Sequence, residues 1–149
     1  MLDLATSAGV ELAERLIENA LEDCVSAFDG FGREACRVFC SRAAAPDKAA
    51  EIRFQNIVAA RKRVQEQFGV DFAAYLDAET WNAAARCFEK RHLVAHKMGI
   101  IDESYRKNAD DANAIVGRKV QVQSEEVRAL IPVLKTLGER LFELIGSRP

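Results

Sequence analysis

Apolar residues recur along this chain with the period of an amphipathic helix. From about Ser7 to Phe28 the stripe is Leu12/Ala13, Leu16/Ile17, Ala20/Leu21, Cys24/Val25 and Phe28, with acids on the opposite face. Asp29-Gly30-Phe31-Gly32 reads as a break, because glycine accommodates the left-handed backbone of a helix end. A second helix is expected over about 33–42. A third, opened by Pro46, is expected over about 47–68, with Phe54, Ile57/Val58, Arg61, Val64 and Phe68 on its stripe and Gly69 ending it. Thr80 is the candidate N-cap of a fourth helix carrying Trp81, Ala85, Phe88, His92 and Ala95 and stopping near Gly99. Asp102 caps a short helical stretch through Tyr105, residues 106–116 read as loop, and 117–122 alternate weakly as if extended. Ser124 is expected to cap a last helix to about Ile145, in which Pro132 introduces a bend. Its stripe, Val127, Leu130/Ile131, Leu134, Leu137, Leu141 and Leu144/Ile145, is the strongest in the chain.

Long amphipathic helices without repeats or linkers must bury their stripes on one another. The expected fold is therefore all-α: an up-and-down helical bundle of about five helices in a single domain spanning 1–149. Composition agrees, since 49% apolar and 30% charged residues are ordinary for a globular chain. No apolar run approaches the roughly 20 residues of a membrane helix, so no membrane partner is expected. Met1-Leu2-Asp3-Leu4 carries no basic or apolar leader pattern. Cys24, Cys36, Cys40 and Cys87 form no CxxC pair and read as reduced thiols, which points to a cytoplasmic location.

Charge changes the picture locally. The net value of −2 excludes a bulk nucleic-acid coater. Residues 1–30 hold seven acids against Arg15 alone, whereas residues 86–119 hold eight basic residues against five acids, together with both histidines. That basic segment suits an anionic ligand, although charge alone fits a solvated helix face better.

The chemistry concentrates in Arg91-His92-Leu93-Val94-Ala95-His96. His92 and His96 are four apart and share a helix face, while Arg91 and His96 point about 140° apart on a straight helix. Metal-free RNA cleavage needs a proton taken from the 2′-OH, a proton given to the leaving 5′-oxygen, and positive charge beside the phosphorane-like transition state. Histidine serves the first two needs and arginine the third. Each residue also has a structural reading. His92 on the Trp81–Phe88 stripe suits a hydrogen-bonded core position, Arg91 suits an ion pair with Glu89 or an acid of the first helix, and His96 suits a helix C-terminus. Zinc from His92/His96 with the equally spaced Cys36/Cys40 is conceivable, but no short-spaced metal signature is present, and neither metal nor cofactor is expected.

Arg91 to His96 resembles the Arg-x4-6-His motif of the HEPN superfamily, with a polar residue directly after the arginine. The following Lys97-Met98-Gly99-Ile100-Ile101-Asp102-Glu103-Ser104-Tyr105 is similar to the stretch after the motif in a group of bacterial HEPN proteins, as are the Phe28–Glu34 turn and Phe54-Gln55-Asn56. The resemblance implies a helical bundle that forms a homodimer through the motif helices, building a composite, metal-independent endoribonuclease site. His96 would be the acid/base group and Arg91 the phosphate ligand. His92, often Asn in the family, would orient Arg91 or share the proton work, with Lys90 and Lys97 at the RNA. Such domains serve in toxin–antitoxin systems, anti-phage defence and stress response, where an antitoxin or effector protein is a further partner. The subgroup paired with a nucleotidyltransferase antitoxin carries Tyr two residues after the histidine; Met98 stands there instead. The alternative within the same resemblance is a non-catalytic HEPN-like module that binds a nucleotide or a protein.

Overall fold

The computed structural model describes residues 2–147, with side chains from Ser7 onward. Met1 of the start read for a leader, and the side chain of Asp3 counted in its charge, lie outside the described residues. The described residues form an all-α bundle of six α-helices: α1 (Leu2–Val38), α2 (Pro46–Ala49), α3 (Ile57–Phe68), α4 (Ala78–His96), α5 (Glu103–Asn108) and α6 (Ser124–Gly146), with a single 3-10 turn at Cys40–Arg42. One isolated antiparallel bridge, Ile100 to Lys119, is all that residues 117–122 contribute to extended structure.

The largest departure from the expected elements is α1, which runs unbroken through Asp29-Gly30-Phe31-Gly32 for 37 residues, about 55 Å of helix. The glycine serves close approach rather than a turn. A Cβ on Gly32 would lie 2.5 Å from the Phe54 ring, so only glycine lets that ring sit on the helix backbone. The buried Asp29 carboxylate accepts a hydrogen bond from the Phe54 N–H at 2.6 Å. The same contact splits the expected third helix. Residues 50–56 leave helical geometry to bring Phe54 to α1, and α3 restarts at Ile57 under an Asn56 cap that accepts from Ala59 N–H. Gly69, at φ 68°, ends α3 as expected.

Two caps also move. Asp77, not Thr80, caps α4, its side chain accepting the Thr80 N–H at 2.8 Å. Gln123, not Ser124, is the N-cap of α6, and its N–H is held by Glu126 at 2.8 Å. Asp102 caps α5 as expected, but that helix continues to Asn108 in a segment read as loop.

α3 and α4 run in opposite senses: Ile57 and Val58 border Phe88 and His92, while Arg61 stacks over Trp81 at 4.6 Å. α4 and α6 are likewise opposed, with Lys90 bonded to Glu126 and Ala84 beside Leu130. α1 lies alongside α6 in the same sense, Cys24 near Ile131 and Phe39 against Phe142. The main core gathers Phe28, Phe54, Phe72 and Phe88 among aliphatic residues of α1, α3, α4 and α6. A second, small core of Leu93, Ile101, Tyr105, Ala109 and Val120 clamps α5 and the strap 99–120 onto the end of α4.

Not every expected core position is covered. Leu12, Ala13, Leu16 and Ala20 are exposed, with Leu12 and Leu16 each 60% accessible. Their register is helical, but α6 begins only about level with Ile17, so Leu12, Ala13 and Leu16 outrun it, whereas Ala20 lies on a flank turned about 100° from buried Leu21.

Candidate functional site

α4 delivers the six-residue motif at its C-terminal end, and its helical phase sends the side chains in three directions. Arg91 turns inward toward α1. Its Nε donates to Glu22 Oε2 at 2.7 Å and its Nη2 to Glu22 Oε1 at 3.0 Å, a two-pronged contact between residues 69 apart in the chain. The Arg91 side chain is 9% exposed and Glu22 is 42% exposed, so the pair closes a gap between α1 and α4 with the carboxylate at the solvent edge. Ser26 on the next turn of α1 also donates to Glu22 at 3.0 Å.

His92 and His96 are both exposed, with ring centroids 4.9 Å apart. The core position open to His92 in the sequence is therefore not taken: its stripe is half-buried at Trp81 and Ala85, buried at Phe88, and exposed at His92. His92 instead lines a cleft of about 210 Å³ whose other polar residues are Gln55, Asn56, Glu89, Ser104 and Asn108. His96 projects from the last turn. The hydrogen bonds from Arg91 hold the Glu22 carboxyl below its ordinary range, and the nearby charges of Arg91 and His96 act in the same direction. Burial pushes Glu89 up, opposed by the charge of His92. Arg91 thus holds the Glu22 carboxylate directly, and His96 acts on it only through its charge.

The two lysines separate. Lys97 is exposed just past α4. Lys90, expected at RNA, is instead inside: its side chain is 7% exposed and its ammonium donates to Glu126 at 2.7 and 3.0 Å and to the Gln121 carbonyl at 2.7 Å. Helical phase places Lys90 opposite His92, on the flank that faces α6, so the lysine is consumed in joining α4 to the start of α6. The four thiol and imidazole groups considered for zinc do not assemble. Cys36 is buried in the core 14 residues, about 21 Å of helix, along α1 from Glu22, whereas both histidines are exposed on α4.

Glu22 and Ser26 are the residues of this cluster that the sequence did not single out. An acid of the first helix was one of several candidates for Arg91, and nothing in the chain pattern selects Glu22 from its four neighbours of like charge. Chemically, the cluster offers two solvent-facing imidazoles for proton transfer and one guanidinium whose Nη1 edge makes no hydrogen bond among the described residues. No protein-family model matches this chain, and neither a curated protein nor a solved structure matches it at a significant level.

Proposed function

We propose that this chain is a HEPN-type endoribonuclease that works without a metal as a homodimer, its site assembled from Arg91, His92 and His96 of two copies, in a defence or stress response. The observation that carries the reading is the pair of exposed imidazoles, His92 and His96, on the last turns of α4 beside Arg91, whose guanidinium keeps one edge free of Glu22. One copy supplies a single guanidinium and two imidazoles, the minimum for two proton transfers and one positive charge beside a phosphorane; a second copy doubles the set. His96 acts as acid or base, Arg91 holds the phosphate through the edge that Glu22 leaves free, and exposed Lys97 adds positive charge for the strand. His92, which lines the polar cleft, orients the RNA or shares the proton work.

A non-catalytic binding module is the second reading. It is favoured by the two-pronged capture of Arg91 by Glu22, which leaves less of the guanidinium for a phosphate. Incubation of RNA with the purified protein in EDTA separates the two. Cleavage leaving 2′,3′-cyclic phosphate ends, lost in His96→Ala and in Arg91→Ala with helix content retained, supports the first. Equal cleavage by wild type and His96→Ala sinks it.

A further inference from the structure

Glu89 lines the same cleft as His92, one turn earlier on α4. It is half-buried, and among the described residues it makes neither a hydrogen bond nor an ion pair. The cations of its own helix are committed elsewhere: Arg86 to the Ala109 and Asp110 carbonyls, Lys90 to Glu126 and Arg91 to Glu22. Burial pushes its carboxyl up; the charge of His92 opposes the shift and that of Asp102 adds to it. A carboxylate drawn part-way from water without a partner gains more than a solvated one from donors that a ligand brings.

The rest of the cleft suits one flat ring. Its volume of about 210 Å³ lies below the roughly 300–1,000 Å³ of pockets for drug-sized ligands. Val58 and Ala85, over buried Ile57 and Phe88, give it an apolar side for the face of a ring. Asn56 accepts the Ala59 N–H through Oδ1 at 3.0 Å, which leaves its Nδ2 to donate to a ligand. Asn108 donates to Ser104 Oγ at 3.3 Å, which ties together the α5 side. The negative charges of Glu89 and Asp102 disfavour a phosphate here, and no set of three metal-ligating side chains assembles among the described residues. The chemistry left is a neutral planar group with two adjacent donors for the carboxylate and an acceptor for the amide.

Among the RNA bases, guanine alone has that edge: O6 accepts, and N1–H and the N2 amino group donate side by side. Adenine and cytosine place a ring acceptor next to their amino group, and uracil has one donor between two acceptors. We propose that this cleft is a guanine subsite, in which Glu89 accepts from N1–H and N2, Asn56 Nδ2 donates to O6, and the ring rests on the apolar side. The subsite deepens the ribonuclease reading and rests on it for one consequence: with His92 on the next turn, RNA is cut beside guanine.

Titration with the four nucleoside 5′-monophosphates isolates the base, because all four carry the same phosphate. GMP binds at least about 10-fold tighter than AMP, CMP or UMP, the discrimination that one good bidentate contact gives. Inosine 5′-monophosphate, which lacks the N2 amino group, loses most of that preference. Glu89→Gln turns one of the two acceptors into a donor and brings GMP to the level of the other three. Val58→Trp, at a position 52% exposed, fills the cleft and weakens GMP about 10-fold or more, with helix content retained in both variants by circular dichroism. Glu125→Gln, in the separate cleft between α4 and α6, leaves GMP binding unchanged. GMP bound no tighter than AMP, or a GMP preference that survives Glu89→Gln, overturns the subsite. Binding is read without cleavage, so the two readings fail separately. An inert chain that prefers GMP loses the ribonuclease and keeps the subsite; a chain that cleaves RNA without preferring GMP does the reverse.

Discussion

Gly30 and Gly32 stand two residues apart inside α1, and replacing each with alanine separates helix propensity from tertiary contact. In a helix interior alanine is favoured over glycine by about 1 kcal/mol. At Gly30 a new Cβ meets nothing within 4 Å, so the full gain is expected: about 1 kcal/mol, or about 2–4 °C in Tm for a chain of this size. At Gly32 the Cβ would sit 2.5–2.7 Å from three atoms of the Phe54 ring, far inside ordinary contact. That ring has little room to withdraw. Phe54 is 0% exposed, lies edge-on to Phe28 with centroids 5.7 Å apart, and is 6.1 Å from Phe72. Moving it also stretches the bond from its N–H to buried Asp29. Overpacking of this kind costs about 1–3 kcal/mol. With the added strain on that hydrogen bond, it outweighs the propensity gain, and Gly32→Ala is expected to destabilise by about 1–2 kcal/mol. Thermal and urea denaturation of the two variants should therefore move in opposite directions. A Gly32→Ala protein stabilised as much as Gly30→Ala would refute the account of α1 as a continuous helix held open for Phe54.

Lys90→Ala should cost about 2 kcal/mol in urea denaturation, because it strands Glu126 and the Gln121 carbonyl where the ammonium now bonds both; a loss under about 0.5 kcal/mol would contradict the buried placement. Glu22 is held below its ordinary value of 4.5 chiefly by the Arg91 hydrogen bonds, so its stabilising contribution is complete above pH 4.5 and disappears as the pH falls through the folded-state value. Between pH 5 and 3 the Tm of Glu22→Gln should accordingly fall less than that of wild type, while the acid loss from Asp71, lowered chiefly by its hydrogen bond from Arg61, persists in both proteins. Burial pushes the Cys36 thiol up to about 12 and the Cys87 thiol to about 11, so iodoacetamide at pH 7.5 should leave both unmodified in the native protein and label them in urea, as mass spectrometry of the peptides would read.

The sequence by itself determined the helical class and most helix phases, because a 3.6-residue stripe needs no partner to be visible. It also located ends set by local chemistry: Pro46 at the start of α2, the left-handed Gly69, and Asp102 bonding Tyr105 N–H. It marked Arg91, His92 and His96 as a cluster. Tertiary structure decided whatever depended on distant chain. Asp29-Gly30-Phe31-Gly32 has turn composition, yet it stays helical because Phe54 and its N–H arrive from the next segment. Leu12 and Leu16 have core periodicity, yet they are exposed because no helix reaches beside them. Lys90 and Lys97 look alike in a basic run, but one faces α6 and is buried while the other faces solvent. The pairing of Arg91 with Glu22 across 69 residues is likewise set by how α1 and α4 cross, since local spacing fixes only the face a side chain takes and the neighbouring helix fixes what that face meets.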